Sequence, residues 1–222
     1  MKKIATVLIL SLMLVSGSCA FAQEKKELAI KKMFNKVSQQ LKNQQDASSE
    51  DVFTSDEQAT LLYNSNELVK AFDVILAIPE ADRTAQDWVL LGNILQDQDK
   101  ISDATFMYQR AILINPNFYK PYYNLANIYL NDEKPFMAID NYKKAIKAKP
   151  DFAYAYYNLG CAYLRLGDLN KAKLHFIKAI ELKNTESDFH YNLAYTYKKL
   201  NKPKQAKQYL EFYNKIMESK GE

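Results

Sequence analysis

Glycine, proline, cysteine, histidine and tryptophan are all scarce in this sequence of 222 residues, which contains 5, 6, 2, 2 and 1 of them respectively. Few glycines and prolines argue against many tight hairpin turns and favour long helices. The two cysteines, Cys19 and Cys161, are too few for a disulfide framework. Neither His175 nor His190 has a second histidine or a cysteine at helical i, i+4 spacing. We therefore expect no metal site, no cofactor and no catalytic activity.

Excess charge of one sign is also lacking. Thirty basic residues stand against 26 acidic ones, for a formal net charge of +4. Loss of an N-terminal segment containing Lys2 and Lys3 would bring the balance closer to neutral. A nucleic-acid-binding protein of this size would be expected to carry a marked basic excess. We expect no nucleic-acid partner.

The first 22 residues have the pattern of a secretory signal peptide. Lys2 and Lys3 precede an apolar run at 4–15, and Ala20-Phe21-Ala22 supplies small residues for cleavage. The run is shorter than the roughly 20 residues that span a bilayer, which disfavours a retained anchor. We expect cleavage after Ala22 and export, with the periplasm as the first candidate location. Lipidation of Cys19, giving an outer-membrane lipoprotein, and secretion from the cell are the alternatives.

Three segments align with one another at a spacing of 34 residues: 85–118, 119–152 and 153–186. Their apolar positions recur three and four residues apart, which is the spacing of one helix face. Pro116 and Pro150 are expected to end helices, because proline lacks a donor and restricts the residue before it. The pattern predicts two antiparallel helices per segment. The aligned columns are Trp88/Tyr122/Tyr156, Leu91/Leu125/Leu159, Gly92/Ala126/Gly160, Leu95/Tyr129/Tyr163, Ala104/Ala138/Ala172, Tyr108/Tyr142/Phe176, Ala111/Ala145/Ala179 and Pro116/Pro150/Asn184.

These columns resemble the tetratricopeptide repeat in period and in residue type, with Leu95 and Asn184 as the two departures. The resemblance implies an all-α fold in which helix pairs stack into a right-handed superhelix, or solenoid. It also implies a protein-interaction scaffold. Because such repeats serve many pathways, the fold does not choose the partner.

Further units flank the three segments. Residues 187–220 match as a divergent fourth repeat, in which Tyr213 replaces a small alanine, as suits a terminal unit with no following helix. Residues 51–84 are interpreted as a degenerate helical hairpin whose second helix ends early at Pro79. Residues 23–50 are expected to form a polar helix and a linker. Whether that helix packs on the solenoid is left open.

In this family the first helices of the repeats line a concave groove where ligands bind, and the resemblance locates that groove on this chain. A Tyr-Asn pair recurs once per unit, at 123–124, 157–158 and 191–192. Asparagine can donate to and accept from the backbone of an extended peptide, and tyrosine adds rigid contact area. The candidate partner-binding residues are Asn93, Tyr123, Asn124, Asn127, Tyr154, Tyr157, Asn158, Cys161, Tyr191, Asn192 and Tyr195.

These asparagines have a second interpretation, in which they only brace the neighbouring repeat. One ligand is disfavoured by the resemblance itself. Chaperone-binding members of the family clamp a C-terminal carboxylate with two asparagines, here Asn93 and Asn124, and three cations. The cation positions hold Val89, Tyr154 and Asn158, which would leave the carboxylate unpaired.

We therefore expect an envelope scaffold that binds a peptide segment or a partner subunit. A lipid-anchored assembly factor of an envelope complex (secretion, polysaccharide or stress tolerance) is the alternative, and only that form would contact a membrane. Self-association through a terminal face is left open. Lysines on the second helices are expected to form a solvated face, with an anionic envelope surface as a minor alternative ligand: Lys143, Lys144, Lys147, Lys171, Lys173 and Lys178.

Overall fold

The computed structural model describes residues 54–221, and within that range it contains ten α-helices, one 3-10 helix and no β-strand. The all-α fold predicted from the sequence is confirmed. The chain divides into two compact units, Met1–Asp82 and Arg83–Glu222. The predicted signal peptide (1–22) and the predicted N-terminal helix and linker (23–50) lie outside the described residues. No helix within 54–221 is both long and apolar enough to cross a membrane.

The described part of the first unit is a helical hairpin. Helices α1 (Ser55–Asn64) and α2 (Leu68–Ala77) pack against each other, and a 3-10 turn follows at Glu80–Asp82. Thr54 begins α1 with a reciprocal cap, because its Oγ1 accepts from the Glu57 amide at 3.3 Å while Glu57 Oε2 accepts from the Thr54 amide at 3.0 Å. Helix α2 ends just before Ile78-Pro79, as the sequence predicts.

The second unit consists of four helix pairs. The first helices of the pairs begin at Ala85, Tyr119, Ala153 and Ser187, which are the first residues of the four 34-residue segments. Each first helix packs against the second helix of its own pair, and each second helix packs on the next first helix. The pairs are α3 (Ala85–Asp97) with α4 (Ile101–Ile114), α5 (Tyr119–Asn131) with α6 (Pro135–Ala148), α7 (Ala153–Arg165) with α8 (Leu169–Leu182), and α9 (Ser187–Lys199) with α10 (Pro203–Lys220).

One turn geometry joins the two helices of every pair, including the N-terminal hairpin. The chain passes through a single left-handed residue, and the amide of the next residue bonds to the carbonyl five residues earlier, which is the Schellman arrangement. Glycine fills this position once, at Gly167; the others hold side chains. The left-handed residues are Asn66, Asp99, Glu133, Gly167 and Asn201, with φ of 61°, 60°, 55°, 75° and 56°.

Aromatic side chains of the second helices fill the core between the pairs. Tyr108, Tyr142 and Phe176 are almost fully buried and lie against small residues of their own first helices. A Cβ placed on Gly160 would lie 2.7 Å from the Phe176 ring, so the close approach of α7 and α8 needs a small residue there. In each of these repeats, a large ring of the second helix thus packs against a small residue of the first helix.

The last pair departs from this packing. Tyr213 stands where Ala111, Ala145 and Ala179 are fully buried, and its ring packs on Tyr191 of its own first helix at 5.4 Å between centroids. No residue of α10 is fully buried. A bulky ring thus takes the place that a buried alanine has in the other three pairs.

Candidate functional site

All eleven candidate residues lie on the first helices α3, α5, α7 and α9, and together they are called the candidate surface below. The rings of Tyr154, Tyr191 and Tyr195 are exposed, whereas the asparagines and Cys161 are half-buried. The first helices therefore present solvent-accessible tyrosines beside partly enclosed amides. Contacts between repeats explain why the amides are enclosed.

A hydrogen bond between asparagines joins the first repeat to the second. Asn124 Nδ2 donates to Asn93 Oδ1 at 2.8 Å, and the Tyr108 hydroxyl of α4 donates to the same oxygen at 2.8 Å. The two lone pairs of the Asn93 carbonyl are thus both used. We call this bond, from an asparagine amide to a side-chain oxygen of the preceding repeat, the inter-repeat brace.

The second and third repeats have the same brace with one additional bond. Asn158 Nδ2 donates to Asn127 Oδ1 at 2.9 Å and to the Tyr123 hydroxyl at 3.0 Å. The Tyr142 hydroxyl of α6 donates to Asn127 Oδ1 at 2.6 Å. One amide group is therefore held by two acceptors, and both belong to the preceding repeat.

In the third repeat, both the residue that supplies the acceptor oxygen and the tyrosine that donates to it are replaced. Cys161 replaces the asparagine of the first helix and Phe176 replaces the tyrosine of the second, so the acceptor and its hydroxyl donor disappear at once. Asn192 Nδ2 donates instead to the Tyr157 hydroxyl at 2.6 Å. Burial raises the pKa of that hydroxyl, which keeps it protonated.

The brace leaves a row of carbonyl oxygens unused. Among the described residues, Oδ1 of Asn124, Asn158 and Asn192 makes no hydrogen bond within the protein, and none of the three is a buried orphan. Because each amide nitrogen is fixed by the brace, its carbonyl is fixed as well. The two interpretations of the asparagines are therefore compatible: the nitrogens brace, and the oxygens face solvent as acceptors.

Tyr154 takes part in a polar cluster at the start of α7. Its hydroxyl donates to Glu186 Oε1 at 2.9 Å and accepts from Lys183 Nζ at 2.8 Å, and the two charged groups pair at 2.6 Å. The bond to Lys183 lowers the pKa of the Glu186 carboxyl, so the pair is ionised at neutral pH. The cluster holds the Tyr154 ring in place, with Lys183 Nζ over the ring at 4.8 Å from its centroid, and the side chain stays partly exposed.

Cys161 shows no sign of nucleophilic activation. Its thiol lies against the Tyr157 hydroxyl, and burial raises its pKa to about 11. A reactive cysteine needs a lowered pKa, because the thiolate is the nucleophile. The raised pKa therefore makes this thiol a poor nucleophile at neutral pH.

The two histidines have packing environments. His190 Nε2 lies 2.9 Å from the Asn184 carbonyl, and its ring packs on Tyr209 and Phe212. His175 stacks on Tyr163 at 5.4 Å, and burial lowers its pKa. In the part of the chain that the structure describes, no group of three or more His, Cys, Asp or Glu residues could hold a metal ion.

The residues at the disfavoured carboxylate clamp are already engaged. Asn93 and Asn124 bond to each other, and Val89, at a cation position, is buried.

The lysine-rich second helices carry exposed ion pairs: Lys144 with Asp140 at 2.6 Å, Lys171 with Asp168 at 2.8 Å, and Lys178 with Glu181 at 3.0 Å. Such pairs are typical of a solvated face.

Sequence reasoning missed the second-helix tyrosines of the brace, Tyr108 and Tyr142, which it assigned only to packing. It also missed Arg165, whose Nη1 donates to the Leu130 carbonyl of the preceding repeat at 2.7 Å. The sequence does contain a signal for the hydrogen bonds of the two tyrosines. The Asn/Tyr pairs 93/108 and 127/142 lie 15 residues apart, and the pair 161/176 changes to Cys/Phe at both positions.

Four family models match the chain. One described as TPR repeat matches residues 137–167, and three described as Tetratricopeptide repeat match residues 153–185, residues 107–140 and 175–208, and residues 87–118. Together they extend over residues 87–208, more than half of the chain. No curated protein sequence matches this one.

Solved structures of MamA share the fold. The crystal structure of MamA superposes with a TM-score of 0.65 at 20% identity, covering 78% of this chain and 99% of MamA. The MamA RS-1 ArsTM double mutant gives a TM-score of 0.66 at 18% identity, covering 75% of this chain and 94% of the other. In all, 330 chains of solved structures match, so this likeness identifies a fold without selecting a function.

Proposed function

This chain belongs to the tetratricopeptide-repeat family, and from that premise we propose that it is a non-enzymatic scaffold that binds a peptide segment or partner subunit on its candidate surface. The observation that carries this proposal is the row of braced asparagine carbonyls. Asn124, Asn158 and Asn192 recur at intervals of 34 residues, each with its nitrogen fixed by the preceding repeat. They form an ordered set of acceptors.

Fixed acceptors suit the backbone of an extended peptide. A peptide in extended conformation offers amide donors along its length, and an acceptor that is already oriented loses little entropy on binding. Exposed rings at Tyr191 and Tyr195 lie on α9, the helix that carries Asn192. Tyrosine combines large contact area with few rotatable bonds, so these rings would supply the apolar part of the contact.

The partner segment would be an internal stretch of chain rather than a free C-terminus. Val89, Tyr154 and Asn158 carry no charge, and the Lys183 ammonium beside Tyr154 is already paired with Glu186. A bound carboxylate would therefore lose its hydration without compensation. The row of asparagine carbonyl oxygens needs amide donors, and the backbone of an internal peptide segment supplies them. This reasoning favours a protein partner with an exposed extended region.

We place this function in the cell envelope on the basis of residues 1–22, which lie outside the described part of the chain. The periplasm is the proposed location. Lipidation at Cys19, giving an outer-membrane lipoprotein, and secretion are the competing outcomes. The intact mass of the protein separates lipidation from the other two outcomes, because cleavage after Ala22 removes Cys19 whereas lipidation retains it. Recovery from the periplasmic fraction or from the medium then separates retention from secretion.

The test of binding uses the exposed tyrosines rather than the asparagines, since removing an amide would also break a brace. The variant Tyr191→Ala/Tyr195→Ala removes two exposed rings of the candidate surface. Proteins captured by wild type and by variant from the native cells are compared by mass spectrometry. We expect at least one partner enriched by wild type to be reduced tenfold or more with the variant.

The matched control is Phe136→Ala/Leu174→Ala, which removes two exposed apolar side chains from the second helices α6 and α8. This control should retain the partner, and circular dichroism should show unchanged helicity for all three proteins. Loss of the partner with the control, or its retention with the tyrosine variant, would sink the proposal for the candidate surface.

A further inference from the structure

Formal charge is distributed unevenly along the described chain. The N-terminal stretch 54–82 contains one lysine, Lys70, against six acidic residues, for a net charge of −5. The terminal repeat 187–221 contains seven lysines against three acidic residues, for a net charge of +4. The two ends of the described sequence therefore carry opposite charge.

The basic end has exposed apolar residues on its last helix. Leu210 and Phe212 of α10 are 42% and 44% exposed, in contrast to the buried Phe176 at the position in α8 equivalent to Leu210. Each has a lysine three residues away: Lys207 precedes Leu210, and Lys215 follows Phe212. Residues three apart are neighbours on a helix surface, so each apolar group lies beside a lysine, and Lys207 is also 4.0 Å from Glu211.

The acidic end has the complementary arrangement. Leu61 of α1 and Val69 of α2 are 52% and 69% exposed. Each has a carboxylate four residues away, Glu57 for Leu61 and Asp73 for Val69. Each apolar group on this hairpin therefore lies near a negative charge.

We propose that the acidic hairpin of one copy (54–82) docks on the basic helix α10 of a second copy, so that the protein associates with itself head to tail. Apolar residues on both surfaces would be removed from water, and the flanking charges would attract across the contact. Two different surfaces meet, so the contact is heterologous. Repetition of it forms a closed ring or an open chain of copies.

Charge complementarity makes the proposal sensitive to salt. The Debye length falls from about 30 Å at 0.01 M salt to about 3 Å at 1 M, which screens attraction between exposed charges. The measurement is sedimentation velocity of the purified protein over a range of concentrations. We expect species larger than the monomer at low salt and a shift to monomer at high salt.

Two charge variants then test the surfaces. The tail variant is Lys207→Glu/Lys215→Glu, and the head variant is Leu61→Lys/Val69→Lys. The tail variant lowers the net charge of 187–221 from +4 to 0 and places glutamates beside Leu210 and Phe212, and the head variant replaces two exposed apolar side chains of the hairpin with lysines. Each variant alone is therefore expected to be monomeric at low salt. In an equimolar mixture the unchanged hairpin of the tail variant can dock on the unchanged α10 of the head variant, so association is expected to return, an outcome that global misfolding of either variant could not produce.

The matched control is Lys143→Glu/Lys147→Glu, which makes the same charge change on exposed positions of α6. It should associate as wild type does. A wild-type protein that stays monomeric at low salt overturns the proposal. So does a mixture of head and tail variants that remains monomeric, or a control variant that loses association as the tail variant does.

Discussion

At the residue scale, the asparagines of the first helices connect neighbouring repeats through their amide nitrogens. The number of such bonds differs between otherwise similar positions. Asn158 Nδ2 has two acceptors in the preceding repeat, whereas Asn192 Nδ2 has one. The chain thus offers two equivalent positions at which the same residue type makes two bonds or one.

Asn158→Ala is expected to lower the free energy of unfolding by about 2 kcal/mol, since each intramolecular hydrogen bond contributes on the order of 1 kcal/mol. Asn192→Ala, which removes one bond, should cost about 1 kcal/mol. Urea unfolding followed by circular dichroism measures both. Asn131→Ala at the exposed end of α5 is the control and should change stability little. Equal losses at 158 and 131 would contradict the bracing role.

Cys161 should react slowly with alkylating reagents. Burial raises its pKa to about 11, so at neutral pH its thiolate fraction is far below that of an exposed thiol. Its rate should rise steadily from pH 7 to pH 10, because the thiol stays mostly protonated over that range. Peptide mass spectrometry after iodoacetamide treatment gives the rate, with the guanidinium-unfolded protein as the reference. Equal rates in folded and unfolded protein would show that burial does not protect the thiol.

The sequence predicts the positions of the bracing residues better than their bonding. A recurring Asn column follows from the period, but which atom donates depends on the second-helix tyrosines that lie against it. Tyr108 and Tyr142 each donate to an asparagine oxygen, and this directs the next asparagine's nitrogen to the same oxygen. That arrangement is set by packing between helices, which a column of residue types does not contain.

At the element scale, the turn within each helix pair has one geometry but different residues. Gly167 is the residue that turn chemistry predicts, since glycine adopts positive φ without steric cost. Glu133 has the same geometry with a side chain, at φ 55°. The sequence identifies one such turn by its glycine. Asn66, Asp99 and Asn201 are of the types that adopt positive φ most readily after glycine, whereas Glu133 follows only from the 34-residue register, because glutamate is rarely found in this conformation.

Exchanging the residue types at positions 133 and 167 should change the free energy of unfolding in opposite directions. Glu133→Gly relieves a left-handed residue with a side chain, which costs roughly 1–2 kcal/mol, and loses part of that gain because glycine is more flexible in the unfolded chain. We expect a net gain of up to about 1 kcal/mol. Gly167→Glu should lose about 1 kcal/mol for the converse reason.

Thermal unfolding of the two variants and of the wild-type protein measures these two changes in stability. Glu133→Ala is the control, since alanine keeps the side-chain cost of the left-handed conformation and should change stability less than glycine does. A Gly167→Glu variant as stable as wild type would mean that the turn can adopt another conformation.

Helix limits were the most predictable feature at this scale. The first helices begin at the first residue of each 34-residue segment because the apolar columns fix the register. Helix α8 ends at Leu182 even though Asn184 replaces the proline found after α4 and α6. The period, rather than proline alone, therefore sets where a second helix stops. Packing on the next first helix is the common constraint.

At the scale of the whole molecule, the family and the all-α architecture follow from the repeat, because one stacked unit dictates the next. The partner does not follow, since the same stack serves many ligands. What this chain adds is its own surface chemistry: braced carbonyls with exposed tyrosines on the first helices, and opposite charges at the two ends of the described sequence.

The central claim, that the first helices bind a protein partner, is tested most directly by crosslinking from within the candidate surface. A photoreactive phenylalanine analogue replaces Tyr195 in one protein and Lys143, an exposed residue of the second helix α6, in another. Both are irradiated in native cells. We predict a discrete protein adduct from position 195 and none of the same mass from position 143. An adduct from position 143 alone would contradict the account and would direct attention to the second helices.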